Sequence, residues 1–250
     1  MPTRYEIIAV EGLPEIEPHD DLAPLIVEAA RRQDTALQSG DLLVVSQKIV
    51  SKTEGRLVRL SEVTPSPRAQ AIAEEIGRDP RLVEVILRES RRIVRKDKGV
   101  LIVETHHGWV CANAGVDQSN VDADTACLLP EDSDRSARAL RDRLRALTGH
   151  DLAIIVADTF GRPWREGLVN VAVGLAGFEP IVSYLGQLDP AGHVLQATIL
   201  ALADELASAA EPVMGKLDRV PVAIIRGLHW ERGDGSSRAL LRDPARDLFR

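Results

Sequence analysis

Three short apolar runs place the tightest limit on how this chain can fold. They are Leu42-Leu43-Val44-Val45, Ala153-Ile154-Ile155-Val156-Ala157 and the stretch 220–225 that ends in Ala223-Ile224-Ile225. Each is rich in β-branched or aliphatic residues without polar alternation, so each reads as a buried strand. Residues 5–10 add a further strand, and residues 100–104 and 109–112 read as a hairpin around Thr105-His106-His107-Gly108. Apolar residues at helical spacing predict helices over 22–32, 65–76, 81–90, 133–147 and 195–210. Residues 169–176 are apolar with Gly174 inside and read as either helix or strand. Residues 158–167 read as a polar loop, and the tail from Gly233 onward as charged and peripheral. Strands and helices mix without a regular βαβ repeat, so the expected fold class is α+β, with mixed sheets and packed helices.

A chain of 250 residues buries a substantial core, as one large domain or two smaller ones. Aromatic residues are 3% of the total, so that core is aliphatic. The net charge of −7 and the absence of a dense basic run argue against nucleic-acid binding. No run of eighteen apolar residues predicts a membrane span, and Met1-Pro2-Thr3-Arg4-Tyr5-Glu6 does not open a signal peptide. Cys111 and Cys127, the only cysteines, make no disulfide framework and read as buried thiols. A cytoplasmic protein is the expectation.

Four segments concentrate chemistry. Asn113-Ala114-Gly115-Val116-Asp117-Gln118-Ser119-Asn120-Val121 sets a carboxylate among amides and a hydroxyl, which suits a hard divalent cation or a phosphate. Capping of a turn or helix by Asp117 and Asn120 stands beside that reading. Asp158-Thr159 follows a buried strand, a recurrent metal position in phosphate-handling enzymes, and Arg162 and Arg165 lie just beyond. Its plain alternative is a helix N-cap. Ser46-Gln47-Lys48-Ile49-Val50-Ser51-Lys52 can hold phosphates or be a solvated helix start. Glu104-Thr105-His106-His107 lacks a third ligand at zinc spacing and reads as a turn. No Walker loop, Gly-x-Ser-x-Gly elbow or dinucleotide fingerprint is present.

Taken in order, these segments resemble the coenzyme F420:L-glutamate ligase family. The matching stretches are Glu11-Gly12-Leu13-Pro14-Glu15-Ile16, the run from Gly40-Asp41 through Lys52 to Arg56, the segment 113–121, Ala157-Asp158-Thr159-Phe160-Gly161-Arg162, and Ile225-Arg226-Gly227. The resemblance implies GTP-dependent addition of L-glutamate to coenzyme F420-0, γ-linked after the first residue, through an acyl phosphate. It implies two divalent ions, Mg or Mn, with potassium as a helper, and a homodimer. The implied fold is distinct from P-loop and ATP-grasp enzymes, with residues 1–250 forming the ligase domain, as one body or two intertwined subdomains. No fused nitroreductase-like domain is expected. Carried over by residue, Asp117 and Asp158 hold one metal and Thr159 a second. Leu13, Pro14, Glu15, Ile16, Ser46, Gln47, Lys52 and Asn120 contact GTP. A related ligase with another acceptor and a non-catalytic nucleotide-binding homologue are the alternative readings. The chain departs from the family pattern at Met214-Gly215-Lys216-Leu217-Asp218, which is short and lacks the following glycines.

Overall fold

The computed structural model describes residues 4–247. Met1 to Thr3 of the amino-terminal reading and the last three residues of the tail lie outside them. A five-stranded sheet carries the fold. Its strands are β1 (Glu6–Ala9), β2 (Leu42–Ser46), β8 (Ala153–Arg162), β9 (Arg165–Ala176) and β12 (Val222–Arg226), in the spatial order β1-β12-β2-β8-β9. Pairing is antiparallel except between β2 and β8, which run parallel with Leu42 opposite Ala153 and Ser46 opposite Ala157.

The three apolar runs are the three central strands, and burial on both faces explains why they lack alternation. Leu43, Val45, Ile154, Val156, Val222 and Ile224 face a layer built from helices α1 (Leu22–Arg32) and α5 (Ser133–Thr148). Leu42, Val44, Ala153, Ile155, Ala223 and Ile225 face helix α6 (Leu202–Met214), whose buried side is mostly alanine. The helices begin where capping chemistry predicts. Asp21 accepts from Ala23 N at the start of α1, and Asp132 accepts from Arg135 N at the start of α5, which ends at left-handed Gly149. Gly174 lets α5 approach β9, since a Cβ there would lie 2.4 Å from the Ser133 carbonyl.

Between β2 and α5 the chain builds a second core. Helix α2 (Gln47–Thr53) leads into β3 (Leu57–Arg59), helices α3 (Pro67–Ile76) and α4 (Pro80–Arg88), and a three-stranded sheet of β4 (Ser90–Asp97), β5 (Val100–Thr105) and β6 (Val110–Ala112). Strand β7 (Thr125–Cys127) returns to pair with β3. Leu60, Ile72, Ile76, Val83, Ile86 and Leu101 form this separate cluster. The arrangement is α+β, as the mixture of elements predicts.

Several expectations are corrected. Residues 158–167 are not a loop, because β8 continues to Arg162 and turns at Pro163-Trp164 into β9. The turn and the start of β9, residues 163–168, are exposed, so the residues there lose the apolar pattern. Residues 169–176 are strand. The helix expected over 195–210 begins at Leu202 instead. Residues before it are taken by an arm in which β10 (Val182–Ser183) pairs with β11 (Ile199–Leu200), and Leu195 N donates to Gln187 O at 2.8 Å. The helix predicted over 81–90 stops at Arg88, and Ser90 opens the charged edge strand β4. The tail is not peripheral at Ser236 and Ser237. Both donate to the buried carboxylate of Asp134, which also accepts from Leu175 N at 2.8 Å. Among the described residues no helix is long and apolar enough to cross a membrane.

Two of the motif matches prove to be one structural device. Arg226 donates to both carboxylate oxygens of Asp41, at 2.9 and 2.8 Å, and to Ala36 O at 2.9 Å. The Asp41 side chain is 2% exposed, so the pair is shielded from solvent. Asp41 also accepts from Gln38 N at 2.8 Å. Removing one partner of a buried pair strands the other charge. Asp41→Ala is therefore expected to cost about 3–5 kcal/mol, read as a lower urea midpoint with the m-value unchanged.

Candidate active site

The candidate residues gather at the carboxyl ends of the parallel pair β2 and β8, the general place for ligands where parallel strands end. Ser46 ends β2 beside Ala157, and Asp158 is the next residue of β8. Asp158 is therefore a mid-strand residue opposite Val171, not a helix cap, and Thr159 lies opposite Asn170. Asp117 comes from the second core. Asn113, Ala114 and Gly115 all have positive φ, and Asn113 Oδ1 accepts from Leu101 N at 3.1 Å, which ties the turn to β5. Gly115 is required there because a Cβ would meet the Leu129 side chain at 2.8 Å. Asp117 then exchanges two backbone hydrogen bonds with Cys127 and is fixed in place.

The two acidic segments meet. Asp117 Oδ2 accepts from Lys48 Nζ at 2.7 Å, and its other oxygen accepts from Ser119 N at 2.7 Å. Burial opposes the charge on Asp117, but Lys48 and the Ser119 amide and hydroxyl outweigh it and hold the carboxyl below its usual range. Asp158 has no such ammonium in contact. It keeps some exposed surface, yet burial raises its carboxyl to about 6, the negative charge of Asp117 adds to the rise, and the Thr159 amide opposes it. One site thus holds two carboxylates in different electrostatic states, close enough to sense each other.

Thr159 Oγ1 donates to Asn170 Oδ1 at 2.8 Å and receives Lys216 Nζ at 2.5 Å. The short segment after Met214 therefore does reach the site, and Gly215 turns it at φ 61° and ψ −172°, a conformation essentially restricted to glycine. Lys52 is buried and ion-paired with Glu15, joining α2 to the turn that carries Leu13, Pro14 and Ile16. Arg32 Nη2 on Gly12 O and His19 N on Thr53 O hold the same turn against α1 and α2. Ile16 is buried in the core, whereas Pro14 and Glu15 are exposed. The reading of residues 46–52 as a solvated helix start is half right. Ser46 does cap α2, but Lys48 and Lys52 are largely buried at the site rather than on open surface.

Other residues are placed less directly. The Gln47 side chain is 2% exposed and its Oε1 accepts from Ser51 Oγ at 2.8 Å. Asn120 is exposed with a left-handed φ of 55°. Arg162 Nη2 lies 2.5 Å from Glu166 O across the hairpin turn, and its Nε is buried with no partner among the described residues. Arg165 is exposed. His107 Nε2 contacts Pro130 O at 2.9 Å, in a turn as expected. Lys48 and Ser119 lie within the two segments read as phosphate or cation holders, whereas nothing in the local sequence marks Asn170 or Lys216. Across the whole chain, only the rarity of lysine beside arginine sets Lys216 apart.

These features define a class of site: lysines and oxygen donors clustered at the end of a parallel strand pair. The family model for F420-0:Gamma-glutamyl ligase matches residues 12–227, and the chain belongs to that family. The coenzyme F420:L-glutamate ligase of Methanothermobacter thermautotrophicus is 49% identical over 247 residues, covering 98% of both chains. The protein of that name from Methanopyrus kandleri is 48% identical over 256 residues, covering 100% of this chain and 99% of its own. The one from Archaeoglobus fulgidus is 40% identical, over 99% and 97% of the two chains.

Both cysteines are buried, and each feels the charge of a site carboxylate. Burial pushes the Cys111 thiol up to about 12, with the Asp158 charge adding to it, and burial pushes Cys127 to about 11. Since the thiolate is the reactive form, iodoacetamide at pH 8 is expected to leave both unmodified in the folded protein. Mass spectrometry should show two carbamidomethyl groups only after denaturation.

Proposed function

We propose that this protein is a GTP-dependent ligase that adds L-glutamate to the side chain of coenzyme F420-0, with γ-linkages after the first residue. The observation that carries the reading is the meeting of Asp117 and Asp158 in a lysine-rimmed site, in a chain of this family. The names of its relatives supply coenzyme F420 and glutamate as the substrates.

In this reading the terminal carboxylate of the coenzyme attacks the γ-phosphorus of GTP, and GDP leaves. The resulting acyl phosphate is attacked at its acyl carbon by the amine of glutamate. Orthophosphate leaves, the nitrogen loses a proton and the amide remains. The donors at hand are two carboxylates and a hydroxyl, all oxygen, which fits Mg or Mn. Among the described residues no three His, Cys, Asp or Glu side chains gather as a cage. Asp117 and Asp158 would hold one divalent cation and Thr159 a second, with potassium as a helper. Bound there, these ions supply charge neutralisation for phosphoryl transfer.

The remaining groups belong to the protein. Lys52, with Leu13, Pro14, Glu15, Ser46 and Asn120, would line the nucleotide side, while the buried Ile16 and Gln47 hold the turn and α2 behind them. Arg162 or Arg165 offers a guanidinium for a substrate carboxylate. Subunit pairing has its own support. Trp164 is 80% exposed and Leu168 65% on the β8–β9 hairpin, and Leu188 is 67% and Val194 54% exposed on the arm between β10 and β11. Such apolar surface suits a second copy of the chain, and light scattering of the purified protein is expected to give the mass of a dimer.

Incubation with GTP, Mn, L-glutamate and coenzyme F420-0 is expected to yield a product ladder in steps of one glutamyl residue, read by mass spectrometry. Nucleotide binding without any mass change would overturn the ligase reading, and glutamylation of a different acceptor alone would redirect it. Asp117→Ala and Asp158→Ala should each lower turnover about a hundredfold or more, the scale of losing one preorganised charge-stabilising group. Near-normal ligation by both variants would remove the metal assignment.

A further inference from the structure

The chain has five lysines, and three of them converge on the site. Each ammonium already sits on an oxygen of a residue assigned above to metal or nucleotide. Lys48 is the most complete case. Its Nζ lies 2.7 Å from Asp117 Oδ2, 2.6 Å from Ser119 Oγ and 2.9 Å from Ser119 O. Three acceptors satisfy all three N–H donors of an ammonium. The side chain is 15% exposed, so the contact is shielded from water. Lys216 repeats the relation on Thr159, and Lys52 repeats it on Glu15. Lys48 and Lys52 are one turn apart on α2, so a single helix face delivers both.

We infer that Lys48 is a built-in cation on Asp117 in the ligand-free protein, displaced when a divalent cation binds and taken up by an incoming polyphosphate. This deepens the function proposed above and rests on it. An ammonium and a divalent ion on the same carboxylate repel each other, so each weakens the other's hold on Asp117. The ion therefore binds Asp117 more tightly once Lys48 leaves. A largely buried ammonium leaves readily only if new acceptors replace the three it gives up. The oxygens of a polyphosphate are such acceptors, and the long flexible stem of lysine lets the charge swing to them. Lys52, held by the Glu15 carboxylate, is released by the same exchange. Polyphosphate and cation then help each other to bind, and the help is reciprocal.

Carbodiimide treatment, which joins an amine to a carboxylate only where they touch, reads the pair in the full-length protein. The metal-free protein is expected to give a Lys48–Asp117 cross-linked peptide. That peptide should disappear with saturating Mn²⁺, and also with inorganic triphosphate alone. The surface pair Lys96–Glu75 serves as the control and should cross-link equally in every condition. In parallel, Lys48→Met should bind Mn²⁺ about tenfold tighter or more without nucleotide, since the occluded state no longer competes. Free Mn²⁺ is followed by its electron paramagnetic resonance signal, and Lys96→Met should match the parent.

A Lys48–Asp117 cross-link that persists in full with bound Mn²⁺, or that never forms without ligand, overturns the inference. Persistence with triphosphate overturns the coupling to polyphosphate. Equal Mn²⁺ affinity in the parent and Lys48→Met overturns the competition while leaving the metal assignment standing. No Mn²⁺ binding to either protein at millimolar metal sinks both. If Lys48→Met does not fold, the cross-linking of the parent protein decides alone.

Discussion

The parallel pairing of β2 with β8 is the constraint on which the rest of this structure depends. Parallel neighbours cannot be joined by a tight turn and need a crossover. Here the crossover is enlarged into a second hydrophobic core, from α2 through β7, before the chain returns along α5. Both parallel strands end on the same edge. The enlarged crossover begins at that edge with α2 and folds back over it with the segment around Asp117. This is how a carboxylate from one core comes to lie near a carboxylate from the other. Neither core contains the site by itself.

Electrostatics then divide the labour. Asp117 is satisfied by Lys48 and Ser119, and Asp158 is left under pressure from burial and from its neighbour. Among so many arginines, the lysines of the site have a physical logic. A guanidinium is planar and suited to permanent bidentate pairs, as Arg226 makes with Asp41. An ammonium on a flexible stem is suited to contacts that must be exchanged. The pair of Arg226 with Asp41 is architectural, while Lys48 and Lys216 rest on oxygen-bearing side chains at the site.

Much of the fold was legible because it rests on local patterns. The central strands showed themselves by unbroken apolar runs, and α1 and α5 by capping residues and helical spacing. Elements whose residues obey no buried pattern were missed. Strand β4 is an edge strand half made of exposed arginines and a lysine, and the turn of the β8–β9 hairpin with the first residues of β9 is exposed. Residues 195–200 carry helical spacing by chance and were claimed by a long-range partner at 182–187. At the site, Asp117 and Asp158 stood out by residue type and setting. Lys216 on Thr159 did not, since a contact across 57 positions leaves no trace in local sequence.

The position of β12 has a consequence for how the chain becomes a protein. β12 lies between β1 and β2, yet it is the last strand of the sheet in sequence. Until Val222–Arg226 leaves the ribosome, the first two strands to be synthesised have no shared neighbour, and Arg226 has not arrived to meet Asp41. The second core, built from near neighbours in sequence, has no such dependence. Vectorial synthesis therefore favours an early crossover unit and a late sheet, with the site between them completed after both, in keeping with the slowness of non-local strand pairing.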